Sequence, residues 1–351
     1  MDAALTHFAE RIRAAGAQRA PLRLRGGGSK DFYGGEPRGE LLDTRGYAGI
    51  VSYEPTELVV TARGGTPLAE LEAALARERQ MLPFEPPHFG PGATLGGCVA
   101  AGLSGPRRAS AGAARDFVLG ARIMDGRARD LSFGGQVMKN VAGYDVSRLL
   151  AGSMGTLGLI LDVSLKVLPR PAQEVTLAME MPEAKALETL NRWAGSPLPV
   201  SATVWRDGQL FIRLSGAESA VRAAIEKLGG QRVESGRFWV EVREHSDPFF
   251  AGDGPLWRLS VPSHASAIAL PGDSLIEWGG ALRWVRTSAD AATVRTAAQR
   301  AGGSATLFRG GERSGGVFGT LAPALERLHR ELKAVFDPEG ILNPGRMYPG
   351  I

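Results

Sequence analysis

The 47 glycines of this 351-residue chain are bunched, at positions 26–28, 34–35, 64–65, 90–105, 134–135 and 152–158. Glycine reaches positive φ without steric cost and lets the backbone approach another group closely. A chain that repeats such bunches needs tight turns, a ligand held against main chain, or both. Three of the bunches have flanking residues that can be read chemically.

The first is Leu24-Arg25-Gly26-Gly27-Gly28-Ser29-Lys30, three glycines after a short strand. Consecutive N–H groups there can converge on an anion, and Ser29 and Lys30 add a hydroxyl and a charge, which suits a pyrophosphate. It is no P-loop, because GxxxxGK[ST] is absent. It is no Rossmann turn, because Asp31 stands where the third glycine of G-x-G-x-x-G would fall. A bare turn is the competing reading. The second runs from Pro91 to Gly105, PGATLGGCVAAGLSG. Thr94 can cap a short helix of small residues, against which a flat or polyanionic ligand can lie. Helix-on-sheet packing explains Gly96 and Gly97 but not the glycines that continue to Gly105. The third joins Lys139-Asn140-Val141-Ala142-Gly143-Tyr144-Asp145 to Gly152-Ser153-Met154-Gly155-Thr156-Leu157-Gly158. Two glycine-flanked turns before a buried strand exceed what a loop requires.

Composition narrows the field. Apolar residues make up 44% and charged residues 22%, enough for a real core. No apolar run approaches the ~20 residues of a membrane span. The N-terminal MDAALTHFAERIRAAG lacks a signal-peptide core and reads as an amphipathic helix with Leu5, Phe8 and Ile12 on one face. The net charge is +4, and only six of the 41 basic residues are Lys. The arginines are scattered, without the stripe of a nucleic-acid binder. The single cysteine, Cys98, rules out a disulfide framework, fits a reducing cytoplasm, and is too few for an iron–sulfur cluster.

Periodicity divides the chain. Residues 1–170 read as short strands broken by glycine turns: Leu22–Arg25, Leu41–Leu42, Ile50–Val51, Glu57–Ala62, Met81–Phe84, Val118–Asp125, Ala128–Ser132 and Thr156–Leu168. Thr66-Pro67 is expected to start a helix over Leu68–Arg79. Residues 171–310 read as strand, helix, strand, strand, helix, strand: Glu174–Met181, Pro182–Trp193, Val200–Trp205, Gln209–Leu214, Glu218–Leu228 and Gln231–Glu234. The order recurs as Leu256–Val261, a helix at Ala265–Ala269, Ser274–Trp278, Ala281–Val285, a helix at Ala289–Arg300, and Ala305–Phe308. Two split β-α-β units could join into one antiparallel sheet. Residues 321–336 predict an amphipathic helix with Leu321, Leu325, Leu328, Leu332 and Val335 on its apolar stripe, before the tail FDPEGILNPGRMYPG.

The glycine segments together resemble the FAD-binding domain of the vanillyl-alcohol oxidase/p-cresol methylhydroxylase family. RGGGSK is similar to its pyrophosphate loop, ATLGGCVAAGLSG to its second cofactor segment, KNVAGYD…GSMGTLG to a run of its D-lactate and glycolate branch, and FDPEGILNPGR to its C-terminal motif. The short length and the GSMGTLG variant most resemble the FAD-binding second subunit of glycolate-oxidising complexes. The fold implied is α+β: a two-subdomain FAD-binding domain of the PCMH type over 1–171, an antiparallel-sheet cap of ferredoxin-like βαββαβ units over 172–320, and a helix and tail over 321–351 that return to the FAD domain. By resemblance, Arg25, Gly26, Gly27, Gly28, Ser29 and Lys30 contact the pyrophosphate. Thr94, Gly96, Gly97, Ala100, Gly102 and Ser104 line the ribityl and flavin side, and Gly152, Ser153, Gly155, Gly158 and Ile160 hold the adenine end. Asn343 and Arg346 face flavin or substrate.

There are departures from the family. Met154 stands where catalytic relatives carry Glu, and their H-G-D-G-N-x-H segment is missing. The pyrophosphate loop has no His or Cys, so the FAD is expected to be non-covalent. No metal site is expected. The weak catalytic candidates are Tyr144, His88 and Arg346, with Arg346 as a carboxylate clamp. The resemblance implies a cytoplasmic subunit passing electrons from a small 2-hydroxyacid through flavin. Its partners would be a larger sister FAD subunit and an iron–sulfur subunit, with peripheral membrane association through the complex and no nucleic acid bound. A self-sufficient hydroxyacid dehydrogenase and a non-catalytic scaffold are the alternatives.

Overall fold

The computed structural model describes residues 2–135 and 145–351. Asp2 caps the first helix, accepting from the Ala4 N–H at 3.0 Å, and α1 (Ala3–Gln18) buries Leu5, Phe8 and Ile12, the expected stripe. The following elements are β1 (Leu22–Arg25), β2 (Glu40–Asp43), β3 (Ile50–Glu54), β4 (Val59–Arg63), α2 (Leu68–Arg77), β5 (Gln80–Met81), α3 (Leu95–Ala101), α4 (Arg108–Ala111), α5 (Ala114–Phe117), β6 (Val118–Met124), β7 (Asp130–Gly134), α6 (Val146–Leu149), β8 (Leu159–Lys166) and β9 (Leu168–Pro169). β1 and β2 pair in parallel, and the tail adds a parallel bridge from Leu22 to Leu342. Five strands form an antiparallel sheet in the order β3-β4-β8-β6-β7. Its β-branched and leucine positions, with Leu68, Leu71 and Leu75 of α2 and Leu95, Cys98 and Val99 of α3, make one core.

The remaining elements are β10 (Gln173–Glu180), α7 (Glu183–Ala194), β11 (Val200–Arg206), β12 (Gln209–Gly216), α8 (Glu218–Leu228), β13 (Gln231–Val233), α9 (Phe238–Glu244), β14 (Leu256–Ser260), β15 (Asp273–Glu277), β16 (Leu282–Arg286), α10 (Ala291–Arg300), β17 (Ser304–Arg309) and α11 (Pro323–Phe336). One eight-stranded sheet runs β13-β10-β12-β11-β15-β16-β14-β17. Each half has the strand order of a split β-α-β unit, and the halves meet antiparallel where Val204 pairs with Glu277. One face is covered by α7 and α8 in the first half and by α10 in the second. The other packs Trp239, Trp278, Trp284 and Phe308 directly onto Tyr33, Ala101, Leu103 and Met154.

Several expectations need correction. Ala265–Ala269 is not helical, so the second unit lacks its first crossover helix. Thr66 does not cap α2; its hydroxyl is held by the Gly49 N–H and C=O, and the helix starts after Pro67. The strand expected over Met81–Phe84 is the two-residue β5. The stripe on α11 is largely exposed: Leu325, Leu328 and Val335 face solvent, Leu332 is half-buried against the core, and the buried positions are Lys333 and Phe336.

Candidate functional site

The three glycine-rich stretches converge. β1 delivers the 26–30 turn to one wall of a cleft, α3 forms the floor, and the turn before β8 closes the far end. The space between them, open to solvent, is about 830 Å³. Its lining includes Arg25, Gly26, Gly27, Gly28, Ser29, Lys30, Thr94, Gly96, Gly97, Ala100, Gly155, Gly158, Ile160, Asn343 and Arg346. Residues 25–30, 94–100, 155–160, Asn343 and Arg346 therefore meet in one cleft.

Sterics explain the glycines. A Cβ on Gly27 would sit 1.5 Å from the Gly92 carbonyl oxygen, and one on Gly26 would sit 2.2 Å from Thr94 Oγ1. Gly28 has φ +74°. In α3 two neighbours differ: a Cβ on Gly96 would meet the Gly64 backbone, in the turn after β4, at 3.0–3.3 Å. One on Gly97 would meet only Thr94 Oγ1, at 3.1 Å, and Gly97 lines the cleft. Gly97 therefore keeps space free.

Polar groups in the cleft are unspent. Among the described residues, the N–H groups of Gly27, Gly28, Ser29 and Lys30 donate to nothing in the protein. Four consecutive free donors form a nest for an anion. The Lys30 ammonium donates to the His88 carbonyl at 3.2 Å and lies 5.6 Å from the centre of the Phe89 ring. Burial pulls it below the ordinary lysine range, with Glu244 partly offsetting. Asp31, beside the cleft, pairs with both Arg23 and Arg25, the latter at 2.8 Å. This restrains the guanidinium that lies against Gly28.

The tail seals one end. Asn343, with φ 44°, accepts from the Leu24 N–H at 2.7 Å through Oδ1 and donates to the Met154 carbonyl at 2.7 Å through Nδ2. It thus ties β1 to the 152–158 turn. Arg346 donates to the carbonyls of Asp31, Tyr33 and Gly35. Burial lowers it to about 10. Nη1 and one N–H of Nη2 are thus spent on the 31–35 loop, while the side chain also lines the cleft.

Other expected residues lie elsewhere. Gly102 is the left-handed cap of α3 at φ 63°, and Ser104 Oγ accepts from the Ala114 N–H. The Gly152 N–H donates to Val99 O, and Ser153 is buried with its carbonyl accepting from Thr156 Oγ1. None of these four lines the cleft. His88 Nε2 pairs with Glu72 at 3.0 Å, outside the cleft. Tyr144 lies outside the described residues. Cys98 is buried among apolar neighbours, its thiol pushed up to about 12 by desolvation, which is a packing role. Sequence reading missed Arg23, Asp31 and Thr44 in the cleft; only their adjacency to the 26–30 turn or to the paired β2 could have marked them.

Residues 5–146 match the model of the FAD binding domain, and residues 320–347 match the C-terminal domain of FAD linked oxidases. The chain is 50% identical to the glycolate oxidase subunit GlcE of Escherichia coli, over 97% of this chain and 96% of that one. It belongs to the GlcE family of FAD-linked oxidases. It is also 24% identical to the glycolate oxidase subunit GlcD of Bacillus subtilis, over 94% of this chain and 84% of that one. An alkyldihydroxyacetonephosphate synthase structure shares the fold, with a TM-score of 0.64 at 16% identity over 96% of this chain and 74% of that one. The GlcE-family chain is thus an FAD-dependent oxidoreductase, and its cleft suits a dinucleotide: a free N–H nest for the diphosphate, a glycine face on α3 and a long open groove. No helix among the described residues is long and apolar enough to cross a membrane.

Proposed function

We propose that this chain is the FAD-binding subunit of a complex that oxidises glycolate or a related 2-hydroxyacid. The observation that carries the reading is the convergence of the 26–30 turn, α3 and the 155–160 segment on one glycine-lined cleft. Gly27, Gly28, Ser29 and Lys30 hold the diphosphate with main-chain N–H groups and the Lys30 charge. Gly97 and Ala100 leave room along α3, and Gly155, Gly158 and Ile160 border the opposite end. Asn343 and Arg346 are positioning residues that lock the tail over the cleft. FAD bound there supplies the hydride acceptor and electron carrier.

The partner is a sister flavoprotein of the GlcD kind, named from the relatives, with an iron–sulfur subunit completing the electron path at the cytoplasmic side. Residues 172–320 would serve as the cap, their sheet packing onto Tyr33, Ala101, Leu103 and Met154 beside the cleft. Among the described residues, His88, the candidate base, lies outside the cleft and is paired with Glu72, which favours a subunit that relies on its partner. The test is an absorbance spectrum of the purified chain, then anaerobic addition of glycolate with and without the sister subunit. Flavin bleaching only with the sister present is expected. A chain that binds no FAD contradicts the proposal, and bleaching by the chain alone replaces it with the self-sufficient dehydrogenase.

A further inference from the structure

Beyond the end of α3, where Ala100 and Ala101 line the cleft, Gly102 and Ser104 line a second cavity, open to solvent, of about 430 Å³. Ala151 closes one side and the cap sheet contributes Arg258 and Trp278. Arg108 comes from α4, and Arg115 lies at the solvent side with its side chain 64% exposed. It is about half the size of the cleft, room for a small organic molecule.

Trp278 is built in at a cost. Its backbone has φ 54°, a left-handed conformation that bulky residues avoid. It is held by its indole N–H donating to Gly105 O at 3.1 Å and by Gly279 N–H donating to Thr203 Oγ1 at 2.9 Å. Two guanidiniums lie against its ring: Arg108 at 4.4 Å and Arg258 at 5.3 Å from the centroid. Neither has a hydrogen bond or ion pair among the described residues.

Arg309, stacked on Phe32 and Phe89, is likewise without a side-chain hydrogen bond or ion pair among the described residues, but it stands alone, whereas Arg108 and Arg258 share one ring and one cavity. Buried Arg107 and Arg213 share Glu85, Arg283 donates to Gly280 and Ala265 carbonyls, and Arg346 donates to three carbonyls. Arg108 is pushed below the ordinary range by burial and by Arg258 and Arg115, with Asp116 only a weak offset. Glu277 of the cap, buried beside Arg258, feels its charge and accepts from the Trp284 indole at 2.7 Å, but makes no ion pair with Arg258 within 4.0 Å. Two facing cations with unspent fork donors repel each other until an anion bridges them. A planar carboxylate matches that fork geometry bidentately.

We propose that the cavity lined by Ser104, Arg108, Arg258 and Trp278 binds the carboxylate of a small organic acid, the 2-hydroxyacid class of the function proposed above, on which this choice of acid rests. Arg108 reaches it from the FAD domain and Arg258 from the cap, so the ligand also clamps the two layers together.

The test is calorimetric titration of the full-length FAD-loaded chain with glycolate, acetate and sulfate, with flavin content and thermal stability recorded for each variant. Saturable binding of glycolate and acetate is expected. Arg108→Gln and Arg258→Gln should each weaken it by roughly tenfold or more with flavin content unchanged. Arg258→Lys, which keeps charge but loses the fork, should give an intermediate loss and covers the case that the neutral variants unfold. Unchanged glycolate affinity in the variants, or binding of sulfate alone, overturns the carboxylate site. A chain without flavin that still binds glycolate through these arginines removes the flavin reading and leaves the site. A flavin-loaded chain with no arginine-dependent carboxylate binding does the reverse.

Discussion

Gly96 and Gly97 adjoin in sequence but answer to different forces. Both line the cleft, but the first is also pressed by the Gly64 backbone just after β4, whereas the second meets only Thr94 Oγ1. Gly97→Asp is therefore expected to keep the fold within about 1 kcal/mol of wild type while expelling FAD, since it places a carboxylate beside the diphosphate nest. Flavin absorbance against circular dichroism separates the two effects. At Glu277, burial raises the carboxyl from 4.5 to about 7. The folded state therefore keeps a proton that the unfolded chain has released. The resulting penalty is absent below pH 4.5, grows up to about 7 and is complete above it. Glu277→Gln keeps an acceptor for the Trp284 indole and removes the penalty. It should stabilise the protein at pH ~8 by up to about 3 kcal/mol and change little at acid pH, as measured by urea unfolding at both.

Among elements, α11 and the tail show where pattern and burial part. The leucine stripe on α11 is legible in sequence, yet the helix is oriented by Lys333. Its buried ammonium donates to Thr156 O, Leu342 O and Asp337 at 2.6–2.9 Å. Asp337 in turn accepts from the Ile341 and Leu342 N–H groups. Lys333→Met should cost about 3–5 kcal/mol, because it leaves a buried carboxylate without its cation. Leu325→Ser and Leu328→Ser should each change stability by no more than about 0.5 kcal/mol. Denaturant melts of the three variants test this inversion of the usual rule. α9 was invisible in sequence because FWVEVRE is aromatic and β-branched, and Arg237 offers no side-chain cap. Ala265–Ala269 misled in the opposite direction: alanine favours helix, but the segment lies between Pro262 and Pro271 and finds no helical ladder.

At the scale of the molecule, the two-unit sheet was legible from alternation and hairpin turns, because each half repeats a self-contained packing problem. The glycine-lined cleft was legible because glycine leaves a signature wherever backbone must come close. The arginine cavity was not, since Arg108 and Arg258 are 150 positions apart and each looks like any other arginine in an arginine-rich chain. Only the fold of the cap onto α3 and α4 brings them together. The same folding gives the tail its purpose, as Asn343 stitches β1 to the 152–158 turn across the whole chain length.

The central claim is that FAD lies in the cleft between the 26–30 turn, α3 and the 155–160 segment. The most direct measurement is the flavin-to-protein ratio of the purified chain and of Gly97→Asp, read from the visible absorbance after incubation with FAD and desalting. The account predicts a ratio near one for the wild-type chain and near zero for the variant, with both folded. A wild-type chain that stays colourless, or a variant that retains its full flavin, would contradict it.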